Sequence, residues 1–230
     1  MVNFNQKSAA ERILIVLYFV VATIEVFAES FAYKPLLYVF KPLIPCVLMT
    51  LYWVVSPKRD WFLFIVIILA MITDVFFISN IEGMLFLGLL FLFVNRILVI
   101  CYIHRLIKIK DYVPILIAMI PFLFVFFYLL SISTVISIRG YYIVIIQNIL
   151  ISILAGIILS HYMMFYNKNS TWLYIFGLIS VTQYLIVFIE RYYLSGMAPA
   201  AFRPLAMILN TGVYFSFYKF VIATEKLNNN

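Results

Sequence analysis

Eight long apolar runs, parted by brief polar stretches, leave this chain little choice but a bundle of membrane-spanning helices. The runs cover about residues 13–29, 35–56, 61–79, 84–104, 112–134, 141–163, 172–189 and 200–223. Each approaches the roughly 20 apolar residues that a helix needs to cross the hydrocarbon layer. In lipid the backbone must satisfy its own hydrogen bonds, which a helix does within one segment. The sequence is 67% hydrophobic and 11% charged, against about 45–50% and about 25% in an ordinary soluble domain. So few charges cannot cover so much apolar surface in water. The expected fold class is therefore all-α: a polytopic membrane bundle of eight transmembrane helices in one integral membrane domain over residues 1–230.

The breaks between runs carry turn and interface residues, among them "SPKRDW", "NIEG", "HRLIKIKD", "YNKNSTW" and "SGMAP". Lys7 and Arg12 precede the first run much as in a signal peptide. Glu25 interrupts its end and no small-residue cleavage pattern follows, so a retained helix is expected. Basic residues fall unevenly on the two sides. Lys7, Arg12, Lys58, Arg59, Arg105, Lys108, Lys110, Lys168, Lys219 and Lys226 lie on one side, and Lys34, Arg139, Arg191 and Arg203 on the other. Because cytoplasmic loops accumulate Lys and Arg, both termini are expected in the cytoplasm. The same bias accounts for the net charge of +7 without an anionic partner, and no nucleic-acid-binding module is present. Cys46 and Cys101 each sit in an apolar run, and His104 and His161 stand alone at helix ends, so neither a disulfide nor a metal site is expected. Walker, HExxH, Rossmann and serine-nucleophile patterns are absent, and no cofactor is expected.

Ionisable and amide side chains inside spans are costly, so they mark function or structural pairing. Here most of them share one depth, toward the non-cytoplasmic side. They are Glu25, Lys41, Asp74, Gln147, Asn148, Gln183 and Asn210, with Glu190 and Arg191 at the end of the seventh span and Arg96 near the middle of the fourth. The fifth span is apolar from Tyr112 to Leu130 and should face lipid or brace the others. The cytoplasmic half reads as dry. One reading of the shared depth is a structural ion pair between Lys41 and Asp74; the other is a polar cavity open to the outer side. The prolines of "YKPLLYVFKPLIP" favour a cavity: Pro42 and Pro45 offer no N–H to the carbonyls of Tyr38 and Lys41, which then need other donors.

Lys-Pro-Leu early in the second span, the aspartate of "MITDVFF", the "EGMLFLGLLFLFVNR" run after it and the eight-span plan together resemble the YhhN-type lysoplasmalogenase family. The resemblance implies a membrane hydrolase that cleaves the vinyl ether bond of a lyso-ether lipid, releasing a fatty aldehyde and a glycerophospho-base, with a membrane lipid as its partner. It implies Asp74 as the catalytic acid with Lys41 beside it, and Arg96, Gln147, Asn148, Gln183, Asn210 and Glu190 as candidates for binding substrate. The chain departs from the family pattern in three places. Thr73-Asp74 stands for Gly-Asp, Arg96 stands near the family's usual histidine, and Thr182 or Gln183 occupies the place of a second aspartate in the seventh span.

The chemistry suits such a site. Vinyl ether hydrolysis begins with proton delivery to carbon, which needs a carboxylic acid that keeps its proton near neutral pH. Removal from water favours the protonated form of a carboxyl group in general. Lys41 could bind the lipid phosphate, and Glu190, about two turns above Gln183, lies too far along its helix to replace the missing aspartate directly. Two other readings stay open: a non-catalytic relative that binds a lipid or small amphiphile, and a secondary transporter with a polar path running on to the cytoplasmic side. The compact loops and lack of organelle signals suggest a bacterial cytoplasmic membrane.

Overall fold

The computed structural model describes residues 4–79, 81–107, 109, 111–133, 138–164, 171–193 and 199–227, with side chains described outside 4–8, 138–139 and 199–201. Lys7, Lys108, Lys110, Arg139 and Lys168, part of the charge bias, lie outside the described residues or side chains, as do parts of the "NIEG", "HRLIKIKD", "YNKNSTW" and "SGMAP" breaks. Eight helices follow in order: α1 (Phe4–Ser30), α2 (Lys34–Val55), α3 (Trp61–Ile78), α4 (Glu82–Ile107), α5 (Val113–Ser131), α6 (Ile138–Met164), α7 (Thr171–Tyr192) and α8 (Pro199–Leu227). All eight are long and apolar enough to cross a membrane. The chain is a multi-pass integral membrane protein built only of helices among its described residues.

Helix ends run past the apolar runs. α1 begins at Phe4 and α8 continues to Leu227, because Glu11, Arg12 and Glu225 are good helix formers that do not stop a helix where the hydrocarbon stops. At α2 the start is set by Pro35, in the first turn where its missing N–H costs nothing. The helix then runs unbroken through Pro42 and Pro45 to Val55. Asp60 caps α3 by accepting a hydrogen bond from the Phe62 N–H at 3.0 Å.

α1–α2, α3–α4, α5–α6 and α7–α8 pair as antiparallel hairpins, and seven of the eight helices close into a ring. Going round, α1 packs on α2, α2 on α3, α3 on α4, α4 on α6, α6 on α7, α7 on α8, and α8 back on α1. α5 is left out of the ring and lies against α6 alone as its main partner. Both roles expected for this span are seen: it braces α6 and turns Leu116, Ile117, Ile120 and Phe124 outward, exposed as a lipid-facing surface would be. Gly156 lets them meet closely, since a Cβ there would stand 2.9 Å from the Ile115 carbonyl oxygen of α5. Gly177 does the same for α7, where a Cβ would come 2.6 Å from the side chain of Ile158 on α6.

The two ends of the ring differ. At one end, called the mouth, lie the last turns of α1, α3 and α7 and the first turns of α2, α4 and α8. At the other, the base, lie the first turn of α1, the last turn of α8, the α2–α3 connection, the last turns of α4 and α6 and the first turns of α5 and α7. The base half holds the main core, with Leu51, Tyr52, Leu63, Ile103, Leu173, Tyr218 and Val221 all wholly or almost wholly buried. It is not dry. Glu225 is 4% exposed there, accepting hydrogen bonds from Tyr52 Oη and from Ser56 Oγ, each at 2.6 Å. The Asp60 N–H donates to Tyr52 Oη at 2.9 Å. A charge so close to the end of the last apolar run reads from sequence as interfacial. The helix instead carries it inward against the α2–α3 connection.

Candidate functional site

The mouth leads into a cavity of about 880 Å³ inside the ring, within the roughly 300–1,000 Å³ usual for ligand pockets. All seven ring helices contribute to its wall and α5 contributes nothing. Exposed Lys34, Glu82, Gly83 and Arg191 stand at its rim. Its far end is apolar, closed by Leu48, Leu63, Leu154, Phe176 and Phe217. On α3 the lining runs from Asp74 down to Leu63, a drop of about 16 Å at 1.5 Å per residue.

Asp74, Lys41, Arg96, Gln147, Gln183, Asn210 and Glu190 all line this one cavity. The polar groups form two walls. On the first, Tyr214 Oη donates to Asp74 Oδ2 at 2.6 Å, and Asn210 Nδ2 donates to the same oxygen at 3.2 Å. Gln183 Nε2 in turn donates to Asn210 Oδ1 at 2.9 Å, linking α7, α8 and α3. Both donors converge on Oδ2, which leaves Asp74 Oδ1 for whatever occupies the cavity. On the second wall, Arg96 Nη1 donates to Gln147 Oε1 at 2.9 Å, and the guanidinium carbon lies 4.7 Å from the centre of the Tyr184 ring. Gln147 Nε2 donates to the Leu89 carbonyl at 3.3 Å, which fixes that amide's orientation.

Several expectations need correction. Lys41 is not paired with Asp74: its ammonium lies 3.7 Å from Glu29 Oε2, one turn beyond Glu25 on α1. Two carboxylates at similar depth competed for one lysine, and α1 packs against α2 more extensively than α3 does. Asn148 is not among the cavity-lining residues. It sits one position past Gln147, about 100° round α6, and is wholly buried, accepting from Tyr184 Oη at 2.6 Å and donating to the Phe126 carbonyl at 3.3 Å. It therefore acts on the cavity only through Tyr184. Glu190 lines the mouth but is occupied, with Arg203 Nε 2.9 Å from its Oε1.

Two residues escaped the sequence reading, Tyr214 and Glu29. Tyr214 is four residues after Asn210, hence on the same helix face; that spacing was the available signal. Glu29 repeats Glu25 at the same interval. Glu25 itself is 1% exposed with no hydrogen-bond partner on either oxygen, close enough to Lys41, Asp74 and Glu29 to feel their charges. Among the described residues, no three His, Cys, Asp or Glu side chains gather in a way that could hold a metal ion.

Chemically the arrangement offers a carboxyl group with one oxygen held and one free, amides fixed around it, a cation on a second polar wall and an apolar floor beneath. No family model, no curated protein and no solved structure matches the chain.

Proposed function

We propose that this protein is a lysoplasmalogenase-like membrane hydrolase that cleaves the vinyl ether bond of a single-chain ether lipid, with Asp74 as the acid. The observation that carries the reading is the one-sided hold on Asp74. Tyr214 and Asn210 grip Oδ2, so a proton on Oδ1 would point at the bound ligand, while the apolar floor receives its chain.

The steps balance as follows. Asp74 Oδ1–H gives its proton to the vinyl carbon farther from the ether oxygen, leaving an oxocarbenium ion and an Asp74 carboxylate. Tyr214 and Asn210 already point at the oxygen where that negative charge grows, a preorganised stabilisation. Lys41, itself balanced by Glu29 at 3.7 Å, adds a favourable field. Water adds to the cationic carbon and returns a proton to Asp74. Gln183 Oε1, whose amide nitrogen is committed to Asn210, can orient that water. The hemiacetal collapses to the aldehyde and the glycerol hydroxyl.

Membership of the YhhN-type family is part of the same proposal, with Gln183 standing where that family has a second aspartate. The basic-residue bias supports cytoplasmic termini and a mouth facing away from the cytoplasm, while the compact loops and lack of organelle signals are the ground for a bacterial cytoplasmic membrane. A second reading, a non-catalytic amphiphile binder, draws on the same Gln183, which puts a neutral amide where hydrolysis would gain from a carboxylate.

Aldehyde release from an alkenyl lysophospholipid by the purified protein decides between them, with Asp74→Asn alongside. Release by the wild type alone supports the hydrolase. Equal release by both would remove Asp74 as the acid, and release by neither would leave the binding reading.

A further inference from the structure

The Arg96 wall is not needed for proton transfer, yet it is the more unusual electrostatic feature. Arg96 lies fourteen residues into α4, about 21 Å along the helix from its start, and its side chain leans toward the helix N-terminus and so toward the mouth. Among the described residues no carboxylate comes within ion-pair distance of it. Lys41, Arg203, Arg105 and Lys219 each have one. A guanidinium has five N–H donors, and the protein contacts of Arg96 are one hydrogen bond to Gln147 and the face of Tyr184. Gln147 and Tyr184 are themselves held, by Leu89 and Asn148. The side chain is thus fixed in direction but left without a counter-charge. An uncompensated charge away from bulk water is costly, and a rigid, open guanidinium fork matches the oxygens of phosphate or carboxylate.

The geometry points to Arg96 as an anion subsite: the cavity takes a single-chain amphiphile carrying a phosphate or carboxylate, with that group on Arg96 and the chain on the apolar floor. This rests on the reading of the cavity as an amphiphile site, but not on hydrolysis.

The test is equilibrium binding to the full-length protein in a neutral detergent. Three unreactive probes of equal chain length are used: an alkyl phosphate, a fatty carboxylate and a neutral monoalkyl glycerol. Wild type should bind at least one anionic probe ten-fold or more tighter than the neutral one. Arg96→Gln should abolish that preference while keeping its affinity for the neutral probe, and Arg96→Lys should retain part of it. Gln147→Leu, which frees Arg96 without opening a void, should cut the preference several-fold and serves if Arg96→Gln does not fold. Preference for phosphate would identify a phospholipid headgroup, and preference for carboxylate a fatty acid; either supports the site. Binding of all three probes with no charge preference in wild type, or an undiminished preference in Arg96→Gln, overturns the Arg96 assignment alone. No binding of any probe overturns it together with the amphiphile reading, whereas absent aldehyde release with intact binding touches only the hydrolase.

Discussion

Asp74 at the mouth and Glu225 at the base are both carboxyl groups inside a membrane bundle, and each receives two side-chain hydrogen bonds. At Glu225 the two hydroxyls, from Tyr52 and Ser56, go to different oxygens. Both oxygens are used, neither belongs to the wall of the mouth cavity, and the group ties the end of α8 to the end of α2. At Asp74 the donors share Oδ2, and the other oxygen is left to a cavity. What separates the two here is the distribution of donors over the two oxygens: both are held at Glu225, and one is left open at Asp74. The number of donors does not distinguish them, and the half-buried Asp74 differs from the buried Glu225 as a group beside a cavity must.

The sharpest way to break this contrast is Asp74→Asn. Under the hydrolase proposal it should lower aldehyde release by about 10²–10⁴-fold, the usual share of a general acid, while the melting temperature in detergent barely moves. Glu225→Ala should do the reverse. Loss of two hydrogen bonds to a charged group, each worth roughly 1.5–3 kcal/mol, should lower stability by about 3 kcal/mol or more, seen as a fall in the melting temperature with probe affinity unchanged. If Glu225→Ala instead weakened ligand binding at unchanged stability, the division between mouth and base would fail.

Tyr214→Phe should be milder. It removes one donor from Oδ2 and should slow turnover by about ten-fold, the effect of one hydrogen bond of roughly 1.5 kcal/mol. A wild-type rate would show that Asn210 alone suffices. Least of all should be Gly156→Ala, which crowds α5 at the Ile115 carbonyl. About 1 kcal/mol of stability should go with ligand affinity intact, because α5 lines no part of the cavity; an affinity change would show that the brace shapes the site.

The eight helices were legible because run length is a direct consequence of bilayer thickness. Their ends were not, since Glu11, Arg12 and Glu225 continue helices beyond the apolar runs. The level of the cavity was legible from the shared depth of Lys41, Asp74, Gln147, Gln183 and Asn210. Which partners meet at that level was not. Depth along an axis says nothing about rotation around it, so Asn148 and Gln147, adjacent in sequence, face different neighbours, and Lys41 turned to Glu29 when Asp74 looked equally available. Tyr214 was overlooked because a tyrosine in an apolar run reads as packing or interface. The exclusion of α5 from the ring left a trace in sequence: it is the span with no charged or amide side chain to contribute.

The apolar layer beneath the cavity has a consequence for the cell. Leu51, Leu63, Leu173 and Val221 are all fully buried, and with their neighbours they separate the ionisable groups of the mouth from Glu225 at the base. Among the described residues no carboxylate stands in that layer between Asp74 and Glu225, so a proton reaching Asp74 from one side meets an apolar barrier before the base.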